Sequence, residues 1–202
     1  DIRGYKPINS VHVGQLKRAY KLLKSAKKPL ILAGGGVNIA HANKLLQEFV
    51  EKENVPVVTT IMGKGAIPTT HPLYIGNCGM HGKYAANIAV TECDVLFSIG
   101  TRFNDRITGD LNEFAPHAKI VHIDVDTASI SRNVVVDVPV VSDAKTALEK
   151  LIEWAEQKKT EKWLAQIRQW DEENPLAMCR DRGLSPQMIM EHINKEFPHS
   201  IY

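Results

Sequence analysis

The segment Asp94-Val95-Leu96-Phe97-Ser98-Ile99 is a short apolar run, and it is followed directly by Gly100-Thr101-Arg102-Phe103-Asn104-Asp105-Arg106-Ile107-Thr108-Gly109, a loop with two arginines and two glycines. The apolar run predicts a buried parallel strand, because strands that are covered on both faces are apolar throughout. Ligands of open α/β sheets bind outside the carboxyl ends of the strands. Arg102 and Arg106 are therefore expected where an anion would be bound.

Four further apolar segments alternate along the chain with segments of helical periodicity. The apolar segments cover residues 30–33, 55–60, 120–124 and 138–141. Apolar residues at helical spacing predict helices over 16–26, around 45–50 and over about 144–157. This alternation predicts an α/β fold, a doubly wound parallel sheet of five or six strands with helices on both faces.

The chain changes character after residue 157. A helix opened by Thr160 carries its tryptophans on one face, and Ser185-Pro186 opens a second helix that runs to about Glu196. Residues 197–202 are expected to begin a strand, as in a chain cut from a longer protein. We expect a linker over 1–10, a central domain over 11–157, a helical linker over 158–184 and the start of another domain at 185–202.

Composition excludes several classes of function. Lys and Arg number 25 against 23 Asp and Glu, without blocks of like charge, which argues against binding to nucleic acid or a membrane surface. Three scattered cysteines, Cys78, Cys93 and Cys179, form no Cys-x-x-Cys pair and predict neither a disulfide framework nor a metal site. With no apolar run of membrane-spanning length and no signal-peptide pattern, we expect a cytoplasmic protein.

The two arginines are the strongest functional signal. Either one alone is open to interpretation as a surface ion pair with Asp105, but two guanidinium groups on one loop favour a pyrophosphate or carboxylate ligand. His81 is expected to make a polar contact rather than to act as an acid or base, because no nearby carboxylate orients it. Met80 is expected to form an apolar wall.

Glycines and acidic residues at other strand ends leave two interpretations each. Gly34-Gly35-Gly36 lacks the third glycine of a dinucleotide fingerprint, so its N–H groups either approach a phosphate or only form a tight turn. Asp124 either accepts ribose hydroxyls, or it caps a helix or stays in water at the strand end. Asp143 is expected to be a helix N-cap, with a ribose or adenine contact as the alternative. Lys64, between two glycines, is expected to be solvated, with a phosphate contact as the alternative.

Several segments together resemble the central domain of the acetolactate synthase (acetohydroxyacid synthase) catalytic subunit, a family of thiamine-diphosphate enzymes. They are residues 30–37, 55–65, 71–72, 76–82, 100–109 and 122–126. The resemblance covers about residues 10–155, and the tail resembles the linker and first helix of the family's C-terminal domain. Thr101 and Asn104 depart from the residues common in the family.

The resemblance implies a transferase that condenses two pyruvates, or pyruvate and 2-oxobutyrate, with loss of CO₂ in branched-chain amino-acid biosynthesis. It implies FAD, without a redox role, across the carboxyl ends of the strands. It also implies that Arg106 holds the carboxylate of the second keto acid, that Met80 lines that site and that Asp105 helps to hold the loop. The FAD contacts that it implies are Gly34, Gly35, Gly36, Thr59, Thr60, Met80, His81, Gly100, Arg102, Arg106, Ile107, Asp124, Asp143 and Ala144.

In the family, other domains bind thiamine diphosphate and Mg²⁺, so this chain alone is expected to be inactive and to bind FAD weakly. The resemblance also implies a homo-oligomer, a dimer or tetramer, and a possible regulatory small subunit. Two alternatives remain at this point. One is the central domain of pyruvate oxidase, glyoxylate carboligase or a keto-acid decarboxylase, and the other is an assembly module without a ligand.

Overall fold

Six parallel strands form the centre of the molecule in the computed structural model, which describes residues 10–176, 180 and 183–198. The strands follow the order β3-β2-β1-β4-β5-β6, the order common to doubly wound dinucleotide-binding sheets. Their bounds are β1 Pro29–Ala33, β2 Val57–Thr59, β3 Tyr74–Asn77, β4 Val95–Ile99, β5 Lys119–Asp124 and β6 Val138–Val141. The predicted α/β sheet is confirmed.

Helices cover both faces of the sheet. Their bounds are α1 Val13–Ser25, α2 Gly35–Ile39, α3 Asn43–Glu53, α4 Tyr84–Glu92, α5 Asp105–Thr108, α6 Ala144–Trp154, α7 Glu161–Glu173 and α8 Pro186–Glu196. Helices α1, α3 and α6 pack on one face, against Ile31 and Phe97. Helices α4 and α7 pack on the other face, against Leu30 and Leu96. Because side chains alternate along a strand, β1, β2, β4 and β5 each supply buried residues to both cores, whereas β6 supplies only the first.

Strand β3 is the one strand that no predicted apolar segment covers. It contains Gly76, with φ +145°, and Asn77, and it lies at the edge of the sheet. Only two of its four residues, Ile75 and Gly76, are buried, so it lacks the continuous apolar run by which the other five strands were recognised.

The predicted starts of α6 and α8 agree with the structure, whereas the predicted end of α6 does not. The Asp143 carboxylate accepts from Lys145 N at 2.9 Å, so the predicted N-cap of α6 is confirmed. Ser185 caps α8 as predicted, accepting from Met188 N at 3.2 Å. Helix α6 ends at Trp154 rather than near Gln157, because Glu156 N–H donates instead to the Glu53 carboxylate.

The tryptophan helix α7 packs on the sheet through one face, as its spacing predicts. Trp163 is buried and donates its Nε1–H to the carbonyl of Pro29 at 3.0 Å, and Trp170 meets it edge to face. The proposed domain boundaries stay predictions, and residues 1–9 lie outside the described residues. Of the predicted terminal strand, residues 197–198 follow α8 without strand structure, and 199–202 are likewise outside the description.

Buried polar groups join the helices at the amino edge of the sheet. Glu53 is fully buried, and its Oε1 lies 2.7 Å from the Tyr20 hydroxyl and accepts from Glu156 N at 3.0 Å. Lys158 Nζ donates to the carbonyls of Lys24 at 2.7 Å and Ala26 at 2.9 Å. Burial and the neighbouring Lys24 lower the pKa of Lys158. We call these residues the amino-edge network.

Candidate active and cofactor-binding edge

The predicted site residues lie along the carboxyl edge of the sheet, and every strand contributes to them. They are Met80 and His81 after β3, Thr59 and Thr60 at the end of β2, Gly34, Gly35 and Gly36 after β1, Gly100, Arg102, Arg106 and Ile107 after β4, Asp124 at the end of β5, and Asp143 and Ala144 after β6. Five strand spacings of about 4.8 Å give an edge about 24 Å long. Its shape suits an elongated ligand.

The turns after β1 and β4 touch each other at the point where the strand order reverses. Gly34 N–H donates to Ile99 O at 2.9 Å, and Gly36 N–H donates to Gly100 O at 3.0 Å. A Cβ atom on Gly36 would lie 2.7 Å from Gly100 Cα. These glycines therefore allow a close backbone approach, and the Gly36 N–H is already used within the chain.

Both arginines of the loop after β4 are exposed. Arg106 Nε lies 4.0 Å from the Asp105 carboxylate, and both side chains are mostly in solvent, which makes this a weak ion pair. Among the described residues, no carboxylate lies within 4.0 Å of the Arg102 guanidinium. The surface ion-pair interpretation therefore does not explain Arg102, and the guanidinium donors at this edge can take an anion.

The turn after β3 is joined to the arginine loop. Met80 N–H donates to Arg106 O at 2.8 Å, and Arg106 Nη1 lies 3.6 Å from the Met80 sulfur. Gly79, with φ +102°, is required because a Cβ there would lie 2.5 Å from Arg106 O. Met80 is 60% exposed, so its thioether is available to form a wall. His81 is also exposed.

A cavity of about 370 Å³ opens between this turn, the arginine loop and α4. Its lining includes Cys78, Met80, Asn87, Arg106, Ile107 and Phe114. Burial raises the pKa of the Cys78 thiol to about 12, so Cys78 is a neutral wall residue and not a nucleophile. The cavity places the Arg106 guanidinium beside apolar walls, and the carboxylates of Asp105, Asp110 and Glu113 also line it.

Asp124, Thr59 and Thr60 already form hydrogen bonds or close contacts within the chain. Asp124 Oδ1 accepts from Asp126 N at 2.9 Å, while Oδ2 lies 3.7 Å from His122 Nε2. The Thr59 hydroxyl donates to Asn77 Oδ1 at 2.8 Å, and the Thr60 hydroxyl accepts from Gly63 N at 3.0 Å. Both threonines therefore shape the strand ends through internal hydrogen bonds. Lys64 is exposed, as expected.

Sequence reasoning missed the side chains that hold these loops. The Asn87 amide on α4 accepts from Gly79 N at 2.8 Å and donates to Gly79 O at 3.0 Å. Asn133 and His122 hold the main chain around Arg102. An asparagine inside the alanine-rich helix α4 was a possible signal, because asparagine is a poor helix former. No local pattern marks Asn133.

Two chemical features are absent from the part of the chain that the structure describes. Residues 10–176, 180 and 183–198 contain no group of three or more His, Cys, Asp or Glu side chains placed to hold a metal ion. Over the same residues, no helix is both long and apolar enough to cross a lipid bilayer.

Comparison with known proteins gives a consistent result. A family model for the central domain of thiamine pyrophosphate enzymes matches residues 16–151. The chain is 47% identical over 197 residues to a probable acetolactate synthase large subunit of Methanocaldococcus jannaschii, covering 96% of this chain and 33% of that protein. It is 56% identical over 149 residues to the probable large subunit of Methanococcus aeolicus, covering 74% and 25%.

The acetolactate synthase isozyme 3 large subunit of Escherichia coli is 44% identical over 169 residues, covering 84% of this chain and 29% of that protein. The chain thus spans between a quarter and a third of the length of these relatives. The model match covers well over half of the chain, and the observed sheet has the predicted topology. The chain belongs to the family of thiamine pyrophosphate enzyme central domains.

Proposed function

We propose that this chain is the FAD-binding central domain of an acetolactate synthase large subunit. The observation that carries the proposal is the pair of exposed arginines on the loop after β4, within one carboxyl edge that also presents Asp124. Pyrophosphate and carboxylate are the anions that a guanidinium group binds best. The names of the relatives favour this enzyme over pyruvate oxidase, glyoxylate carboligase and the keto-acid decarboxylases.

The donor set of the edge fits FAD. Arg102 would face the pyrophosphate, and the Asp124 Oδ2 oxygen, which is not used by the Asp126 turn, would accept a ribose hydroxyl. Gly34, Gly35, Gly36 and Gly100 would allow the ligand to approach the backbone closely. In the proposed enzyme these residues would hold a flavin that has no redox role.

Arg106 would hold the carboxylate of the acceptor keto acid, with Met80 beside it. The Met80–Arg106 contact at 3.6 Å and the cavity behind it place an apolar wall next to a cation, which suits a short keto acid. The whole enzyme would join pyruvate to a second pyruvate, or to 2-oxobutyrate, with release of CO₂. Thiamine diphosphate and Mg²⁺ would be held by other domains of a longer, cytoplasmic, homo-oligomeric protein, with a regulatory small subunit as a possible partner.

FAD binding tests the proposal directly. We expect the longer protein to bind one FAD per chain, and the 202-residue chain to bind FAD more weakly, because neighbouring domains would cover part of the flavin. Titration followed by flavin fluorescence measures both affinities. With pyruvate, thiamine diphosphate, Mg²⁺ and FAD, the chain alone should form no acetolactate. A longer protein that binds no flavin would contradict the proposal and favour a ligand-free assembly module.

The role of Arg106 is tested by the substitution Arg106→Lys in the longer protein. Lysine keeps the charge but loses the planar two-pronged contact, so carboligation should fall by about 10- to 150-fold, from a loss of about 1.5–3 kcal/mol. Decarboxylation should fall less, which would release acetaldehyde. The measurement is the ratio of acetolactate to CO₂. Arg102→Lys is the matched control, and it should weaken FAD binding without lowering that ratio.

A further inference from the structure

Asn133 lies between β5 and β6, in a segment that contains none of the proposed ligand contacts. Its Nδ2 donates to two successive carbonyls of the arginine loop, Arg102 O at 3.2 Å and Phe103 O at 3.0 Å. A carbonyl oxygen can only accept, so the amide nitrogen must face the loop. Asn133 is itself exposed, and its two bonds cross 30 and 31 residues of sequence.

The main chain held by Asn133 has an unusual conformation. Phe103 has φ +48°, in the left-handed region that bulky residues avoid. Its ring is buried and packs edge to face on Phe114, with ring centres 5.9 Å apart, and on His122, at 4.9 Å. Such a conformation persists only where the surroundings hold it. The hydrogen bond from Asn133 to Phe103 O helps to stabilise this conformation next to Arg102.

His122 holds the preceding residue of the same loop. Its ring is fully buried on β5, and Nε2 donates to Thr101 O at 2.7 Å. Three successive carbonyls, those of residues 101, 102 and 103, are thus bonded by side chains from β5 and the segment after it. Arg102 is flanked on both sides by fixed main chain, while its own guanidinium is exposed.

We propose that Asn133 is a positioning residue for Arg102. Its two hydrogen bonds hold the left-handed turn at Phe103, and this turn sets the direction in which the Arg102 side chain leaves the loop. The inference rests on the proposed function, in which Arg102 binds the pyrophosphate of FAD. Asn133 touches no ligand itself, and it acts by keeping Arg102 ready for the anion.

The test measures the dissociation constant of FAD for variants of the longer protein. Asn133→Ala removes both bonds, and Asn133→Asp keeps the shape but cannot donate at neutral pH, so each should raise the dissociation constant about tenfold. Asn133→Gln keeps the donor and should restore part of the affinity. Asn112 is an exposed asparagine between α5 and β5. Asn112→Ala is the matched control and should bind FAD like the wild type.

A double-mutant cycle separates positioning from a general structural effect. In an Arg102→Ala background, Asn133→Ala should change the FAD dissociation constant less than twofold, because its effect passes through Arg102. Equal weakening in both backgrounds would overturn the inference. The urea midpoint of the FAD-free protein should shift little with Asn133→Ala, and Asn133→Asp, which also lacks the donor, replaces it in the cycle if Asn133→Ala does not fold.

The outcomes distinguish this inference from the proposed function. If Arg102→Ala weakens FAD binding and the Asn133 variants bind like the wild type, the positioning role fails and the proposed function stands. If the wild type binds no FAD, or Arg102→Ala leaves its affinity unchanged, the proposed role of Arg102 fails and this inference falls with it.

Discussion

The two edges of the sheet differ in whether their charged side chains are buried or exposed. At the amino edge, Glu53 is fully buried with its Oε1 hydrogen-bonded, and Lys158 donates to the carbonyls of Lys24 in α1 and of Ala26 just after it. At the carboxyl edge, Arg102 and Arg106 are exposed, and the ion pair of Arg106 with Asp105 is long. Both edges are rich in charge, but only the amino edge holds a charged group inside the protein. Glu53 Oε1 is hydrogen-bonded there, whereas Oε2 makes no hydrogen bond among the described residues and lies 3.8 Å from Lys24 Nζ.

This difference separates residues that stabilise the fold from residues that are free to bind. A buried charge without partners costs several kcal/mol, so Glu53 depends on the two hydrogen bonds to its Oε1. An exposed guanidinium carries no such penalty, and it can exchange water for a ligand. The contrast predicts that substitutions at the amino edge change stability, whereas substitutions of the arginines change binding.

The largest effect on stability is expected for Glu53→Ala. The substitution removes the acceptor of Glu156 N–H and the partner of the Tyr20 hydroxyl, and it leaves Lys24 without the carboxylate 3.8 Å away. We expect a loss of about 3 kcal/mol in the free energy of unfolding. Urea unfolding followed by tryptophan fluorescence measures it.

Glu48→Ala is the control for Glu53→Ala, because Glu48 forms an exposed pair with Lys52 on the same helix. Its effect should lie within about 1 kcal/mol. Equal effects for the two substitutions would mean that the amino-edge network does not stabilise the fold more than an ordinary surface pair.

Gly36→Ala tests whether the open carboxyl edge is also loosely packed in its backbone. The new Cβ would lie 2.7 Å from Gly100 Cα, so main chain must move, and we expect a loss of about 2 kcal/mol in unfolding free energy. Gly14→Ala is matched to it, since both glycines are second in their helices. Gly14 meets only the His12 side chain, at 3.1 Å, and alanine there should be neutral or stabilise by up to about 1 kcal/mol. A neutral Gly36→Ala would show that the contrast between the edges extends to backbone packing.

The smallest effect concerns the pH dependence given by Asp137, just before β6 at the amino edge. Burial raises the pKa of Asp137, but hydrogen bonds from Lys119 Nζ and Ile120 N, with the charge of Lys119, outweigh it and leave the pKa below its ordinary value. A lowered pKa in the folded state stabilises the protein above the ordinary pKa, and this contribution is lost as the pH falls through the lowered value.

Asp137→Asn should therefore cost up to about 1 kcal/mol at pH 6, and the difference from the wild type should shrink below about pH 4. Unfolding curves at several pH values, from pH 6 down to well below pH 4, measure the trend. A difference that stays constant with pH would assign the effect of Asp137 to shape rather than charge.

Sequence patterns predicted the parts of the molecule that depend on neighbouring residues. The apolar run before Gly100 correctly placed β4 and the arginine loop, and Asp143 before a helical segment correctly gave the cap of α6. Strand β3 was missed because Gly76 and Asn77 interrupt its apolar residues. Asn133 was missed because its hydrogen bonds join residues about 30 positions apart, and no local spacing records such a contact.

The crossing of the turns after β1 and β4 restricts where this domain can change in length. Gly34 and Gly36 are tied to Ile99 and Gly100 by two main-chain bonds, with no side chain between them to absorb a displacement. One residue inserted into either turn would break the register of both. The segment between α5 and β5, residues 109–118, is mostly exposed, and length variation among related domains is expected to concentrate there.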